Sequence, residues 1–336
     1  MARNPAKILI IKPGAIGDLL HISPTVRALK KRFPGADIDI MVSSKGTVCL
    51  FENSPHIRRA LYFDRKGEHR NWSRFMALWA NVRSQDYDLV INFQRSTLKV
   101  WLLVLAAFPC RVLVYHKSRN RKIHAVTDHL ETVASLGIVP GKENPELEMF
   151  LSREDTVYAE TFIFEKNLEN RQLVALNLGA SNRIKCWPPD YFAALADRIK
   201  EETGAEILLV GGKDELDLAA QVISSCTTKP LNLVNTLSLG QLGAILKQCK
   251  LLVSGDTGPL HLATAVGTRV VALFGAIDPD RTGPVGVGHI VISHSELECV
   301  PCNGKNCNHL PCLECMTMIT VDEVMQAVDS LLKQGV

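Results

Sequence analysis

The chain has 336 residues, 46% of them apolar and 22% charged, with a formal net charge of +3. This length predicts about two domains of roughly 150 residues each, and the composition excludes both a disordered chain and a small disulfide-rich fold. The longest apolar run, Val100 to Phe108, is far shorter than the roughly 20 residues of a transmembrane helix, and the N-terminus has no signal-peptide pattern, so we expect a soluble cytoplasmic protein.

Aliphatic runs alternate with helical patterns through the first part of the chain. Lys7–Lys12 is predicted to form a buried parallel strand, and apolar residues at helical spacing predict a helix from Asp18 to Phe33. Further strands are predicted at Ile38–Val42, Tyr87–Phe93 and Arg111–Tyr115. This alternation is typical of βαβ units in a doubly wound α/β sheet.

A segment rich in glycine, proline and charge, Gly137–Pro145, marks a linker to a second series of strands. These strands are predicted at Val174–Gly179, Ala205–Gly212, Leu231–Val234, Lys250–Gly255 and Arg269–Gly275. The pattern predicts two Rossmann-like domains, residues 1–150 and residues 151–336. The last predicted helix, Val321–Leu332, is a candidate to cross back to the first domain.

The two halves carry opposite charge. Residues 1–150 hold 23 Lys and Arg against 13 Asp and Glu, a balance of +10, whereas residues 151–336 hold 15 against 22, a balance of −7. The basic half could meet nucleic acid, an anionic membrane, or a phosphorylated or carboxylated substrate, or it could simply be a solvated surface. Its basic residues are scattered and match no nucleic-acid-binding signature, so we expect no nucleic acid as a partner.

Three turns rich in small residues each follow a predicted strand. They are Pro13–Asp18, Gly179–Pro188 and Ser254–Ala263. Glycine lets a ligand approach the backbone closely, and backbone N–H groups at a helix N-terminus favour phosphate. The first turn has G-x-x-G spacing, and Asp37 and Asp39 precede the second apolar run instead of following it, so a nicotinamide-binding oxidoreductase is a weak alternative.

Four segments, taken together and in this order, resemble glycosyltransferase family 9, the ADP-heptose:lipopolysaccharide heptosyltransferases. The segments are Lys12–Pro24, Gly179–Pro188, Ser254–Gly267 and Val270–Pro284. They span nearly the whole chain. The resemblance implies a GT-B fold, in which two doubly wound Rossmann-like domains face a central cleft, the N-terminal domain binding the acceptor and the C-terminal domain the nucleotide-sugar donor.

The resemblance also implies roles for individual residues. It makes Asp18 the catalytic base, and it makes Lys185 a catalytic residue that stabilises the donor phosphates. The implied donor-binding residues are Ser181, Lys185, Asp256, Thr257, Gly258 and His261. Gly14 and Gly17 belong to the implied acceptor-side loop. From the residues alone, Asp18 could instead cap a helix and His261 could be a structural histidine.

An acid that contacts the donor ribose in some family members is expected near Leu231–Thr236. Asn232 and Asn235 stand there in this chain.

The implied reaction is an inverting, metal-independent transfer of heptose from ADP-heptose to the inner core of lipopolysaccharide, on a Kdo or heptose acceptor. A carboxylate accepts the proton of the attacking hydroxyl, and the lysine and helix terminus stabilise the departing diphosphate. Within the basic half, Arg58–Arg74 and Lys117–Lys122 are candidate contacts for the acceptor or for the inner membrane surface. Transfer of another nucleotide sugar, and a non-catalytic nucleotide-sugar-binding protein, remain alternatives.

Five of the ten cysteines lie close together near the C-terminus. They are Cys299, Cys302, Cys307, Cys312 and Cys315. Two C-x-x-C pairs could hold a structural zinc ion, and reduced structural thiols are the alternative. Disulfides are the less expected use in a cytosolic protein.

Overall fold

A computed structural model describes residues 4–94, 98–116, 122–180, 182–302, 304 and 306–333. The chain divides into two compact units, Met1–Phe150 and Leu151–Val336. Each unit contains one parallel β-sheet whose strands are connected through helices.

The first unit has a five-stranded sheet in the order β3-β2-β1-β4-β5. Its strands are β1 (Lys7–Ile11), β2 (Asp37–Val42), β3 (Arg59–Tyr62), β4 (Leu89–Asn92) and β5 (Arg111–Val114). Its helices are α1 (Ile16–Leu20), α2 (Ser23–Arg32), α3 (Cys49–Glu52), α4 (Trp72–Arg83), α5 (Leu98–Ala106) and α6 (Ala125–Thr132). The central strand β1 is buried from Ile8 to Ile11, as its continuous aliphatic run predicts.

The second unit has a six-stranded sheet in the order β11-β10-β9-β6-β7-β8. Its strands are β6 (Leu173–Asn177), β7 (Glu206–Val210), β8 (Leu231–Asn232), β9 (Leu251–Gly255), β10 (Arg269–Phe274) and β11 (Ile290–Ser293). Its helices are α7 (Arg153–Glu165), α8 (Pro189–Thr203), α9 (Leu216–Ser225), α10 (Leu239–Gln248), α11 (Gly258–Ala265), α12 (Pro279–Thr282), α13 (Glu314–Thr317) and α14 (Val321–Lys333).

Both sheets are doubly wound, which confirms the predicted fold class. In each unit the first strand of the unit pairs on one side with the second strand and on the other with the fourth. The strand order therefore reverses between β1 and β4 and again between β6 and β9. Ligands of doubly wound sheets bind beyond the carboxyl ends of the strands at such switch points, and the three turns singled out in the sequence follow β1, β6 and β9.

The predicted helix from Asp18 to Phe33 is two helices, because the chain breaks between α1 and α2. Pro24 lies in the first turn of α2 and has no N–H to donate to the carbonyl of Leu20. The hydroxyl of Ser23 donates to that carbonyl instead, at 2.8 Å.

Two strands were not predicted, β3 and β11, and both lie at sheet edges. An edge strand has one neighbour and is only partly buried, and β3 lacks the continuous aliphatic run of a central strand, whereas β11 has a short one, Ile290–Ile292. Strand β3 is partly exposed along its whole length.

The last helix, α14, packs within the second unit. Its buried side chains Val324, Met325, Val328 and Leu331 join the core of that unit. The loop before it is fixed by Trp187, whose indole N–H donates to the carbonyl of Ile319 at 2.8 Å. The crossing of this helix to the first unit stays a prediction.

Candidate functional site

An ion pair joins two of the predicted site residues of the second unit. Lys185 ends a short 3₁₀ helix after β6, and Asp256 follows β9, the neighbouring strand. Lys185 Nζ donates to Asp256 Oδ2 at 2.6 Å, and His261 Nε2 lies 3.6 Å from the other carboxylate oxygen. The three side chains are 20%, 11% and 4% exposed. The structure thus brings together the residues that the sequence assigned to one site.

Asp256 is held in its charged form despite its burial. Burial by itself would raise the pKa of this carboxyl, but the hydrogen bonds from His261 and Lys185, together with their charges, hold it below its usual range. The Asp256 carboxylate therefore stays ionised at neutral pH and orients the Lys185 ammonium towards the edge of the sheet where the loops meet.

A polar network fixes the start of α11. The side-chain amide of Asn177, at the end of β6, lies 3.0 Å from Ser254 Oγ and 3.1 Å from Thr257 Oγ1. The two hydroxyl oxygens are 3.0 Å apart. Sequence reasoning missed Asn177, although a polar residue that closes a buried aliphatic strand is a signal for a group at the ligand-binding edge.

The N-terminus of α11 is open to an anion. Thr257 occupies the N-cap position, and its side chain makes no capping hydrogen bond, because the network holds it. Gly258 begins the helix. At Gly255, a Cβ would lie 2.8 Å from the carbonyl oxygen of Lys185, so glycine is required where the two loops approach. Backbone N–H groups and the helix dipole favour negative charge at this position.

An acid stands at the same edge of the sheet, but at a different place from the one expected. Glu215 follows β7, and a Cβ on Gly179 would lie 2.1 Å from Glu215 Cγ, so the acid covers the loop after β6. Its carboxylate accepts the N–H of Gly212 at 2.7 Å. Asn232, where the acid was sought, lies on the edge strand β8 and is exposed. The missed signal was an acid just beyond the second strand of a Rossmann-like unit.

One predicted donor-binding residue, Ser181, lies outside the described residues. The basic residues Lys117, Arg119 and Arg121 of the first unit also lie outside the described residues, whereas Lys122 is described and exposed.

In the first unit, Asp18 is exposed and paired with a buried lysine. Asp18 is the third residue of α1, and the N-cap position is occupied by Ala15, so Asp18 is not the helix cap. Lys12 Nζ lies 4.0 Å from Asp18 Oδ1, and the two side chains are 9% and 57% exposed. A Cβ on Gly14 would lie 3.1 Å from the Cβ of Asp18, so the turn packs against the base of the Asp18 side chain. The other loop glycine, Gly17, is the second residue of α1.

Aromatic rings lie on one side of Lys12. Its ammonium lies 6.0 Å from the centroid of the Tyr115 ring. The buried ring of His129 lies 5.2 Å from both Tyr115 and Phe93. Burial, reinforced by the charge of Lys12, lowers the pKa of His129 to about 3, so His129 is neutral. A charged partner of Lys12 is Asp18, at 4.0 Å.

A cavity of about 240 Å³ adjoins the Asp18 turn within the first unit. The turn itself contributes Pro13, Gly14 and Ala15 to its lining, and Arg65 and Lys66 contribute positive charge. Both basic residues are exposed. The lining also includes one acid, Asp64, so the two basic residues outnumber it where the cavity meets the turn before Asp18.

Arg58 and Arg59, two of the candidate acceptor contacts, serve another purpose. Both donate to the carboxylate of Asp39, at 2.6 Å and 2.8 Å, and the hydroxyl of Tyr87 donates to it at 2.6 Å. Asp39 is fully buried near the amino end of β2, the opposite end of the sheet from the Asp18 turn. These two arginines therefore neutralise a buried acid, and their contact with the acceptor or the membrane stays a prediction.

The cysteine cluster does not fit a metal ion. Across the part of the chain that the structure describes, which includes all five clustered cysteines, no three potential ligands are grouped to hold one. All ten cysteines are free thiols. Cys315 is buried in the core of the second unit, where burial raises the pKa of its thiol to about 11, and it packs against Gly275 after β10. The predicted zinc site is not supported, and Cys315 acts as a packing residue.

The sequence matches a known family over most of its length. A family model for glycosyltransferase family 9, described as heptosyltransferase, matches residues 75–313. The chain is 24% identical to the lipopolysaccharide core heptosyltransferase OpsX of Haemophilus influenzae, over 91% of this chain and 90% of that protein. It is 26% identical to lipooligosaccharide heptosyltransferase 2 of Campylobacter jejuni, over 97% of this chain and 99% of that protein.

Solved structures share the fold along the whole chain. A glycosyl transferase of family 9 from Veillonella parvula matches with a TM-score of 0.86 at 22% identity, covering 98% of each chain. The E. coli heptosyltransferase WaaC with ADP matches with a TM-score of 0.72 at 18% identity, covering 97% of this chain and 99% of that one. These likenesses confirm the predicted GT-B fold class.

Proposed function

This chain belongs to glycosyltransferase family 9, and we propose that it transfers heptose from ADP-heptose to the inner core of lipopolysaccharide. Its curated relatives are named as heptosyltransferases of lipopolysaccharide or lipooligosaccharide. A structure with the same fold holds ADP. The acceptor is then a lipid-linked anionic saccharide, and the enzyme works on the cytoplasmic side of the membrane that carries it.

The observation that carries the proposal is the environment of Asp18. A sugar hydroxyl is a weak nucleophile at neutral pH, so a carboxylate must accept its proton during attack on the anomeric carbon. Asp18 is 57% exposed and therefore reachable, and Lys12 and the Gly14 turn hold it in place. One base that activates the acceptor directly is sufficient for displacement with inversion, since no covalent intermediate is needed.

The second unit supplies what a nucleotide-sugar donor requires. The leaving ADP gains negative charge, which Lys185 and the N–H groups at the start of α11 can stabilise. Asp256 and His261 hold Lys185 for this role, and Ser181 is a further proposed phosphate contact. We assign Glu215 to the ribose hydroxyls, because it is the acid beyond the second strand of this Rossmann-like unit.

The first unit supplies what an anionic acceptor requires. The carboxylates and phosphates of an inner-core acceptor match Arg65 and Lys66, which line the cavity beside the Asp18 turn. The balance of +10 over residues 1–150 extends this attraction to the surface of an anionic membrane.

The test compares turnover with nucleotide binding in Asp18→Asn. We expect the turnover of ADP-heptose to fall by about a hundredfold or more, while ADP still raises the melting temperature as in wild type. Glu52→Gln, a change at another exposed acid of the same unit, is the control and should keep full turnover.

Other outcomes would overturn parts of the proposal. Undiminished turnover in Asp18→Asn would mean that Asp18 is not the catalytic base. A wild-type protein that binds ADP but transfers no sugar would be a binding protein. A larger thermal shift with UDP or GDP than with ADP would mean that the donor carries that nucleotide instead of ADP.

A further inference from the structure

Helices α4 and α5 expose an unusual amount of apolar surface. Thirteen large apolar side chains are exposed among the described residues, and six of them belong to this short part of the first unit. The six are Trp72, Met76, Leu98, Trp101, Leu105 and Phe108. Three of them on α5 lie at positions i, i+3 and i+7, which places them on one side of the helix. We call these six side chains the α4–α5 face.

The opposite sides of both helices are fixed to the sheet. Phe75, Leu78 and Val82 of α4 and Leu103 and Val104 of α5 lie in one buried cluster with β1 and β4. The outward apolar stripe is therefore additional to the core-facing one, and burial within this unit does not account for it. Contiguous exposed apolar patches usually mark interaction surfaces.

Three contacts hold the two helices side by side. Lys99 Nζ lies 4.7 Å from the centroid of the Trp72 ring, and the indole N–H of Trp79 donates to the carbonyl of Leu102 at 3.0 Å. Arg83 donates to the carbonyl of Phe108 at 2.9 Å. These contacts run from the start to the end of both helices, so the α4–α5 face is a preformed surface.

The charge around this face is mostly positive. The segment from His69 to Gln85, which contains α4, has no acidic residue, and neither has the segment from Leu89 to Thr127, which contains α5. Arg70 and Arg74 are exposed at the start of α4, where Arg74 also pairs with Glu68 at 3.2 Å. Arg111 is exposed beyond Phe108. An apolar face with a basic border matches a surface that is apolar inside and anionic outside.

We propose that the α4–α5 face docks onto an anionic lipid bilayer, with both helices lying in the plane of the headgroup region. Leucine, methionine and phenylalanine side chains would enter the acyl boundary, and the two tryptophans would lie at the headgroup level. No helix among the described residues is long and apolar enough to span a membrane. This inference deepens the proposed function and rests on its lipid-linked acceptor, since docking would keep the enzyme at the surface that presents that substrate.

The experiment measures vesicle binding without any turnover. Full-length protein is sedimented with vesicles of phosphatidylcholine alone or of phosphatidylcholine mixed with phosphatidylglycerol. We expect wild type to bind the mixed vesicles, and Leu98→Ser/Leu105→Ser to bind them at least about tenfold more weakly, because two exposed apolar side chains are lost. Arg70→Gln/Arg74→Gln should also bind more weakly, with a smaller dependence on salt.

The matched control is Phe164→Ser, a change at a side chain that is 67% exposed in the second unit, and it should bind as wild type. Unchanged circular dichroism shows that each variant is folded. Wild type that does not bind mixed vesicles, or Leu98→Ser/Leu105→Ser that binds them normally, would overturn the proposal. If wild type is a dimer and Leu98→Ser/Leu105→Ser is a monomer, the face binds a second copy of the chain. That result would also overturn the proposal.

Failure of this inference can be distinguished from failure of the proposed function. Absent vesicle binding with intact heptose transfer would leave the reaction in place and remove only the docking surface. Intact vesicle binding by a protein that transfers no heptose would keep the docking surface and remove the proposed reaction.

Discussion

The side chains of Lys185 and Asp256 form a hydrogen-bonded ion pair, with 2.6 Å between Nζ and Oδ2. The pair connects the loops that follow two neighbouring strands, β6 and β9. Both side chains are largely buried, at 20% and 11% exposed. A diphosphate at the start of α11 would therefore meet a lysine that is already oriented, and its binding would not have to order a flexible side chain.

Replacing this lysine should weaken donor binding. In Lys185→Gln we expect the Kd for ADP to rise at least about tenfold, because a charge-assisted hydrogen bond contributes about 1.5–3 kcal/mol. Isothermal titration with ADP measures this change. Lys200→Gln is the matched control, since Lys200 also pairs with an acid at 2.6 Å in the same unit but lies on α8. Equal ADP affinity in wild type and Lys185→Gln would contradict the assignment of Lys185.

We expect the buried lysine of the first unit to have a different role, which is to position Asp18. Lys12→Met keeps an unbranched apolar side chain that is one atom shorter, and it removes the charge 4.0 Å from Asp18. We expect kcat to fall about tenfold or more with KM little changed, because the base loses its orientation while the acceptor contacts remain. Thermal stability should be retained, since an apolar residue replaces a buried charge.

Lys30→Met is the control for this change. Lys30 is a lysine of the same unit whose ammonium donates to the carbonyl of Ala36 at 2.9 Å, away from the Asp18 turn. It should leave kcat unchanged. A rise in KM with unchanged kcat in Lys12→Met would mean that Lys12 binds substrate and does not position the base.

Central strands and their loops could be predicted from sequence because their physical signals are local. A strand covered on both faces must be apolar throughout, and β1, β6 and β9 show this run directly before their turns. Since parallel strands end at one edge of the sheet, the turns after β6 and β9 were expected at one site, and the contact between Lys185 and Asp256 is there.

What could not be predicted depends on pairing between distant parts of the chain. The role of Asn177 depends on Ser254 and Thr257, which lie more than 70 positions away along the chain. Arg58 and Arg59 looked like surface charges because nothing local indicates that Asp39 is buried beside them. An alternating pattern of acid and apolar residues at the start of β2 is equally compatible with a half-exposed strand.

The Asp39 cluster should contribute to the stability of the first unit. Asp39→Asn leaves two arginines facing a neutral amide, and we expect a loss of about 1–3 kcal/mol, because the arginines are 29% and 34% exposed and keep access to water. Urea unfolding followed by tryptophan fluorescence measures the loss, since three of the four tryptophans, Trp72, Trp79 and Trp101, lie in this unit. Asp37→Asn is the control, because Asp37 is 50% exposed and pairs with Arg58 at 3.3 Å, a contact that contributes no more than about 1 kcal/mol.

The effect of Asp39→Asn should disappear in acid. Burial alone would raise the pKa of Asp39, but hydrogen bonds from Arg58, Arg59 and Tyr87 hold it below the usual carboxyl range. A carboxyl with a lowered native pKa stabilises the fold above its unfolded pKa of about 4 and loses this contribution as pH falls through the native value. The difference in the free energy of unfolding between wild type and Asp39→Asn should therefore shrink below about pH 4. A difference that stays constant with pH would mean that the charge of Asp39 is not its source.

His129 should make the first unit sensitive to mild acid. Its native pKa of about 3 lies well below the usual 6.5, so the unfolded chain binds a proton in the interval between these values that the folded chain does not. Stability is then complete above pH 6.5 or so and falls by up to about 1.4 kcal/mol for each pH unit below it. His129→Gln cannot titrate, and although it lowers stability by losing contacts with Phe93 and Tyr115, it should remove this slope between about pH 6 and pH 4. Urea unfolding across that range, again by tryptophan fluorescence, tests the prediction. A variant with the same slope as wild type would assign the acid sensitivity to other groups.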